Sequence, residues 1–162
     1  MSLIYYDIER SFTEYFSATL GTQAGEVIAY EFPLNELGSH TYSVEFVADT
    51  PIAVNGRAID GTNTGRYIES LAQIDIFRLP TTTGEPDVAG AKKMLSRVTN
   101  LFKGSHFIPL KTYGSAPIGS TVGTVLGAIK IDELAAAKQA YDPNPAMRRY
   151  SQDLKLTTKE TF

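Results

Sequence analysis

The sequence predicts an α+β domain in which an N-terminal helix and a second, central helix pack on one antiparallel or mixed β-sheet. The chain has 162 residues without an internal repeat or linker, so we expect a single domain over residues 1–162. Hydrophobic residues make up 43% of the chain and charged residues 20%, which is enough apolar surface for a core. Helical and alternating patterns follow one another in the order helix, strands, helix, strands.

The first element is a helix predicted over residues 3–19. Apolar residues recur there at three- and four-residue spacings, which places them on one face. Ser2 suits the N-cap of this helix and Gly21 suits its C-cap. The β-branched and aromatic stretches that follow predict strands over residues 26–32 and 41–48.

The middle of the chain is predicted to hold a hairpin and the longest strand. Asn55-Gly56 lies between short apolar stretches, and this dipeptide supplies the positive φ values that a type I′ turn requires. A polar loop follows, and a strand then extends from about 66 to 78. Because its apolar residues do not keep one strict alternation, we expect a β-bulge near Ala72.

The second helix is predicted over residues 86–102. Apolar residues recur there every three or four positions, Pro86 suits the first turn, and Gly104 can end the helix. This pattern is the clearest in the chain, so it fixes the central helix of the predicted fold.

The last third of the chain is less regular. Pro109 interrupts an apolar stretch, which suits an edge strand because proline cannot donate to a sheet ladder. Further strands are predicted over residues 122–131 and around 147–158. Between them, the alanine-rich stretch 133–141 predicts a short helical turn that stops before Pro143.

Composition excludes several kinds of site. The chain has no cysteine, which rules out disulfides, zinc–thiolate sites, iron–sulfur clusters and thiol nucleophiles. Its net charge of −3 argues against a dedicated nucleic-acid binder, which needs a basic excess to neutralise phosphates. The first residues are too acidic for a signal peptide, and no apolar run approaches the ~20 residues that span a bilayer. We therefore expect a soluble protein, intracellular at synthesis, without a membrane partner.

No catalytic or metal-binding motif emerges from the sequence. Its two histidines, His40 and His106, have no partner at metal-ligand spacing, and no phosphate loop or nucleophile elbow is present. The remaining route to acid–base chemistry is through carboxylates such as Glu69, Asp75 and Asp60. A solvated strand face is the simpler interpretation of these residues, so we expect no enzyme, no cofactor and no bound metal.

Basic side chains gather in two places. Lys92, Lys93 and Arg97 lie on the second helix, and Arg148 and Arg149 precede the last strand. The ordinary interpretation of the helical group is a solvated helix surface. The alternative is a salt-bridging contact between subunits.

The order of the elements, rather than any motif, resembles a known family. After an amphipathic helix and short strands, the long strand RYIESLAQIDIFRLP passes through the polar loop TTTGEPD into the helix VAGAKKMLSRVTNLFKG. The chain ends on the basic and then alternating stretch MRRYSQDLKLTT. In length and layout, over nearly the whole chain, this resembles the tail terminator proteins of long-tailed, non-contractile bacteriophages, those of T5-like phages in particular.

The resemblance implies a structural virion protein with neither catalysis nor a cofactor. Tail terminator proteins form a six-subunit ring on the last ring of major tail tube protein and stop the growth of the tube. The ring then presents a surface to the head-completion or connector proteins, and DNA later passes through its lumen. The location implied is the head-proximal end of the tail, with assembly in the host cytoplasm.

A subunit of a closed ring needs two different, complementary faces. Polar-loop and basic residues are the candidates for subunit or tube contacts. They are Asn55, Gly56, Arg57, Arg66, Lys92, Lys93, Arg97, Arg148 and Arg149. Two alternatives stay open: a head–tail connector or other neck protein of a phage, and a small enzyme or ligand-binding domain with a carboxylate site.

Overall fold

In the computed structural model the chain folds as two helices on one face of a large mixed sheet. The structure describes residues 3–30, 38–52, 65–103, 106–113, 124–135, 137–140 and 142–161. The helices are α1 (Ile4–Thr19) and α2 (Val88–Leu101). The strands are β1 (Glu26–Ala29), β2 (His40–Ile52), β3 (Gly65–Arg78), β4 (His106–Thr112), β5 (Thr124–Glu133), β6 (Lys138–Ala140) and β7 (Arg148–Thr161).

The strand order is β1-β2-β3-β7-β5-β4, and β6 pairs with β7 beside the end of β5. β1 is parallel to β2, whereas the other pairs are antiparallel, so the predicted α+β class with a mixed sheet is confirmed. β4 lies at the end of the strand order, as expected from Pro109. Among the described residues, no helix is long and apolar enough to cross a membrane.

The core lies between the helices and the inner face of the sheet. Along β3, alternate residues from Ile68 to Ile76 point inward and are buried. Phe12 and Phe16 of α1 stack with Phe102, which follows α2, at ring-centroid distances of 5.7 and 6.2 Å. This aromatic cluster joins both helices to the sheet, and it forms because the spacing of four residues puts Phe12 and Phe16 on one face of α1.

The second helix begins later than predicted, at Val88 rather than Pro86. Asp87 is its N-cap, since its carboxylate accepts a hydrogen bond of 2.9 Å from the backbone N–H of Gly90. The same carboxylate accepts a bond of 2.8 Å from Nε of Arg78, at the end of β3. A side chain on Gly90 would meet both groups, because an added Cβ would lie 2.4 Å from each.

The predicted bulge lies on the neighbouring strand. The register shifts between Phe46 and Ala48 of β2, opposite Ala72 and Leu71, whereas β3 pairs with β7 without a break. The irregular apolar pattern of β3 has another cause: Leu71 points to the outer face and is exposed. The prediction of a bulge in β3 itself was therefore wrong.

The helical turn predicted over residues 133–141 is also wrong. Lys138–Ala140 forms β6 and pairs with Ser151, Tyr150 and Arg149 of β7. A short alanine-rich segment gains little as an isolated helical turn, so pairing with an existing strand decides its structure. The Asn55-Gly56 hairpin, Arg57 and Gly104 lie outside the described residues.

Candidate interaction surface

The outer face of the sheet, which points away from the helices, is covered at one end and open at the other. At the covered end lie residues of β2, β3 and β7 with no more than 5% exposure. They are Thr41, Ser43, Asp75, Phe77 and Ser151. The outer face therefore has two parts with different solvent exposure, although the same strands run through both.

The other end of this face carries large exposed apolar side chains. Strand registry places Thr50, Glu69, Thr157, Lys130 and Phe107 in one row across five strands, all on the outer face. Phe107 is 63% exposed. We call Ile52, Tyr67, Leu71 and Phe107 the open sheet face.

Lysines lie between these apolar side chains. Lys155 Nζ lies 3.9 Å from Oε1 of Glu69, and Lys130 Nζ lies 3.7 Å from Oδ2 of Asp132. Lys159 is exposed directly opposite Tyr67. Ion pairs at such exposure contribute little to stability, so these charges can rearrange when another surface approaches.

A second exposed surface lies on the opposite side of the molecule. It is a groove of about 300 Å³ along α1, lined by Tyr6, Glu9, Arg10, Thr13 and Tyr30, and we call it the tyrosine groove. Arg10 Nη1 donates to the hydroxyl of Tyr6 at 3.2 Å, and the hydroxyl of Tyr30 donates to the carbonyl of Thr13 at 3.2 Å. Partial burial raises the pKa of Tyr30 above its ordinary value.

Arg97, a candidate contact residue, is half-buried and binds a buried carboxylate. Its Nη1 lies 2.7 Å from Oε2 of Glu26 and 2.7 Å from the hydroxyl of Tyr42. The Glu26 side chain is 1% exposed, and Tyr42 also donates to it at 2.8 Å. Burial alone would raise the pKa of Glu26, but hydrogen bonds from Gln23, Tyr42 and Arg97 bring the pKa below its ordinary value. The interpretation of Arg97 as a solvated helix position was therefore wrong.

Asp75 and Arg149 are brought together at the covered end of the sheet. Arg149 Nη2 lies 3.3 Å from Oδ1 of Asp75, and its guanidinium lies 5.1 Å from the centroid of the Phe77 ring. Asp75 is buried, so its interpretation as part of a solvated strand face was wrong. This ion pair ties β3 to β7, which makes a role in packing sufficient to explain both residues.

The other basic candidates are distributed over the surface. Arg66 pairs with Glu160 across β3 and β7 at 2.7 Å, and Arg148 is half-buried at the start of β7. Lys92 and Lys93 are exposed on α2, with Lys92 Nζ 4.8 Å from the centroid of the Tyr150 ring. These two lysines are the candidates on α2 that remain accessible to a partner.

Both histidines make hydrogen bonds within the fold. Nδ1 of His40 accepts from the backbone N–H of Leu79 at 3.1 Å, and Nε2 of His106 lies 2.7 Å from the hydroxyl of Tyr15. Burial and the neighbouring Arg78 lower the pKa of His40. Within the described ranges, no group of three or more histidine or carboxylate side chains could hold a metal ion.

Comparison with known proteins does not assign the chain to a family. No protein-family model and no curated protein matches this chain. The resemblance in element order to tail terminator proteins therefore stays a prediction. The open sheet face and the tyrosine groove were not anticipated from the sequence, although Tyr5 and Tyr6, on the solvent side of the first helix, are a signal that could have indicated the groove.

Proposed function

We propose that this chain is a structural subunit that assembles with copies of itself, and that the assembly is the ring that terminates the tail tube of a long-tailed, non-contractile phage. The observation that carries the proposal is the presence of two exposed apolar surfaces on opposite sides of one small domain. The open sheet face lies on one side and the tyrosine groove on the other.

These surfaces have the composition of protein contacts. Interfaces are enriched in aromatic side chains and arginine, and the two surfaces contain Tyr6, Tyr30, Tyr67, Phe107 and Arg10. A ring subunit needs two different faces, because each copy contacts one neighbour with each face.

In the proposed ring, the partners are the next copy of the chain, the major tail tube protein and a head-completion protein. Six copies with a net charge of −3 each carry −18, and acidic groups facing the lumen would repel DNA and ease its passage. The ring sits at the head-proximal end of the tail in the virion and assembles in the host cytoplasm.

A head–tail connector is the nearest alternative, since neck proteins also form rings from small α+β domains. An enzyme with a carboxylate site has less support. Asp75 is paired with Arg149, Glu69 lies beside Lys155, and neither carboxylate lines the two described cavities along α1. We therefore propose no catalytic role.

The test is an elongation assay on tail tubes assembled from the major tail tube protein. We expect the purified chain to stop elongation and to appear in negative stain as a ring at one end of each tube, with the mass of six subunits per ring. Tubes that elongate normally in its presence would contradict the terminator proposal. Binding to portal or head-completion proteins, without binding to tubes, would favour the connector.

A further inference from the structure

Two polar side chains of α1, Asp7 and Ser11, are buried against β4. Asp7 is fully buried and Ser11 is 4% exposed. Polar groups are buried to this extent where hydrogen bonds replace their hydration. We propose that these two side chains close the free edge of β4 by taking the place of a neighbouring strand, so that the edge of one copy cannot pair with a strand of another.

Ser11 makes the two hydrogen bonds that a residue of a neighbouring strand would make. Its Oγ accepts from the backbone N–H of Lys111 at 3.0 Å and donates to the carbonyl of the same residue at 3.3 Å. In an antiparallel sheet, directly opposed residues exchange this pair of bonds. β4 is the last strand in the described order and has β5 on its other side, so Ser11 occupies the edge that is left.

Asp7 closes the next position along the same edge. Its Oδ1 accepts from the backbone N–H of Tyr113, just after β4, at 3.0 Å. Peptide groups with the same direction recur at every second residue of a strand, so Pro109 lies on this edge together with Lys111 and Tyr113. Proline has no N–H to donate. Three successive edge positions therefore offer no N–H to an incoming strand.

Further contacts hold α1 along β4. The hydroxyl of Tyr15 lies 2.7 Å from Nε2 of His106, at the start of the strand, and Glu14 accepts from Nζ of Lys111 at 2.9 Å. The side chains of α1 that make these contacts lie on one side of the helix, because they are three or four residues apart. We call this group the edge cover: Asp7, Ser11, Glu14 and Tyr15.

An uncovered edge at β4 would favour association of copies through their sheets. Free N–H and C=O groups of an edge strand pair readily with a strand of another molecule, and proteins avoid this by covering the edge or placing proline in it. Phe107, 63% exposed at the start of β4, would add apolar contact to such a pair. The edge cover confines association to other surfaces, whether or not the copies form the proposed ring.

Hydrogen exchange at single-amide resolution tests whether the edge is closed. In the unmodified chain we expect the amide protons of Lys111 and Tyr113 to be protected, as is that of Ile108, which pairs with β5. Ser11→Ala should speed exchange at Lys111 at least about tenfold and leave Ile108 unchanged. The matched control is Ser96→Ala, because Ser96 Oγ donates to a carbonyl within α2. Equally fast exchange at Lys111 in the unmodified chain and in Ser11→Ala would overturn the proposal.

An open-edge variant tests whether closure prevents pairing. Asp7→Ala and Ser11→Ala free two N–H donors, and Pro109→Val adds a third at an exposed position. We expect this triple variant to self-associate in sedimentation velocity at a concentration at least about tenfold lower than the unmodified chain, with new protection of the amides at positions 109 and 111. Asp7→Asn is the control, because it keeps an oxygen that accepts from Tyr113.

Circular dichroism melts verify that the variants fold. If the triple variant unfolds, Ser11→Ala with Pro109→Val carries the same expectation, because it leaves the buried Asp7 in place. A folded open-edge variant that associates no more than Asp7→Asn would show that the edge cover does not prevent pairing.

The outcomes separate the edge cover from the proposed function. If the unmodified chain caps tail tubes and the folded open-edge variant gains no association, the edge cover is wrong and the terminator proposal stands. If the unmodified chain caps no tubes and the open-edge variant associates through β4, the edge cover stands and the terminator proposal fails.

Discussion

Glu26 links α2 to the start of the sheet through a buried carboxylate. Its buried carboxylate receives Arg97 from α2 and Tyr42 from β2, and Arg78 Nη1 lies 3.8 Å away at the end of β3. A buried carboxylate is tolerated only when such partners replace its hydration. One ion cluster therefore connects β1, β2, β3 and α2.

Replacing Arg97 by alanine should lower the free energy of unfolding by about 3 kcal/mol, because Glu26 would stay buried without its closest cation. Urea denaturation followed by circular dichroism measures the change. The control is Lys93→Ala on the exposed side of the same helix, which should cost less than about 0.5 kcal/mol. Equal losses of unfolding free energy in the two variants would show that the Glu26–Arg97 pair does not stabilise the fold.

The effect of Arg97→Ala should depend on pH. The pKa of Glu26 in the folded protein is below its ordinary value of 4.5, so the stabilisation is present above pH 4.5 and is lost as the pH falls through the folded pKa. We expect the stability gap between Arg97→Ala and the unmodified chain to narrow as the pH falls below about 4.5. A gap that stays constant from neutral pH to pH 3 would contradict this assignment.

Sequence patterns could not predict that Arg97 pairs with a buried carboxylate. Helical periodicity puts residue 97 at the side of the apolar face, where a long side chain can be solvated or can turn inward. The choice depends on Glu26, which lies 71 residues away in the chain. The pairing of Asp75 with Arg149 could not be predicted for the same reason, since the two residues are 74 positions apart in the chain.

At the scale of elements, the start of α2 combines a helix cap with an ion pair. Asp87 accepts from the N–H of Gly90 and from Nε of Arg78, and these bonds lower the pKa of Asp87 below its ordinary value. The cap fixes where the helix begins, and the ion pair fixes its position against the end of β3.

Replacing Asp87 by alanine should lower the free energy of unfolding by about 1–2 kcal/mol, since it removes both the cap and the partner of Arg78. Asp87→Ser keeps a capping oxygen and should recover part of that loss. Glu85→Ala is the control, because Glu85 is exposed two residues earlier. Thermal and urea unfolding measure the free energy of unfolding of the three variants. An Asp87→Ala variant as stable as the control would exclude the capping role.

Local patterns predict elements better than they predict partners. The 3.6-residue periodicity of α1 and α2 identified both helices, because each has one apolar face against the sheet. Strand pairing is non-local, so the sequence did not reveal that β7 would lie between β3 and β5 and recruit β6. The alanine-rich segment 133–141 shows the consequence, since high helix propensity over so short a length does not outweigh pairing with an available strand edge.

At the scale of the whole molecule, the fold leaves apolar surface on two opposite sides. Sequence patterns indicate the core face of a helix or strand, but they do not show whether another layer covers the opposite face. In this sheet one end of the outer face is buried and the other is open, with Phe107 and Tyr67 exposed. The open surfaces therefore became candidates only once the strand order and register were known.

The exposed lysines of α2 offer a test of how this molecule contacts its neighbours. Lys92 and Lys93 are accessible, and the cation–π contact of Lys92 with Tyr150 contributes only about 0.5–1 kcal/mol at such a site. Changing both lysines to glutamate should therefore leave the fold intact, with a loss of at most about 1 kcal/mol in urea unfolding.

If α2 faces a neighbouring subunit or the tail tube, reversing two charges there should abolish capping, because juxtaposed charges of unfavourable sign oppose docking. We expect the Lys92→Glu, Lys93→Glu variant to melt like the unmodified chain and to leave tail tubes uncapped in the elongation assay. The matched control is Lys138→Glu, which reverses one exposed lysine on β6, outside α2, the open sheet face and the tyrosine groove. Normal capping by the α2 variant would remove this helix from the interface and leave the open sheet face and the tyrosine groove as the surfaces that assemble the ring.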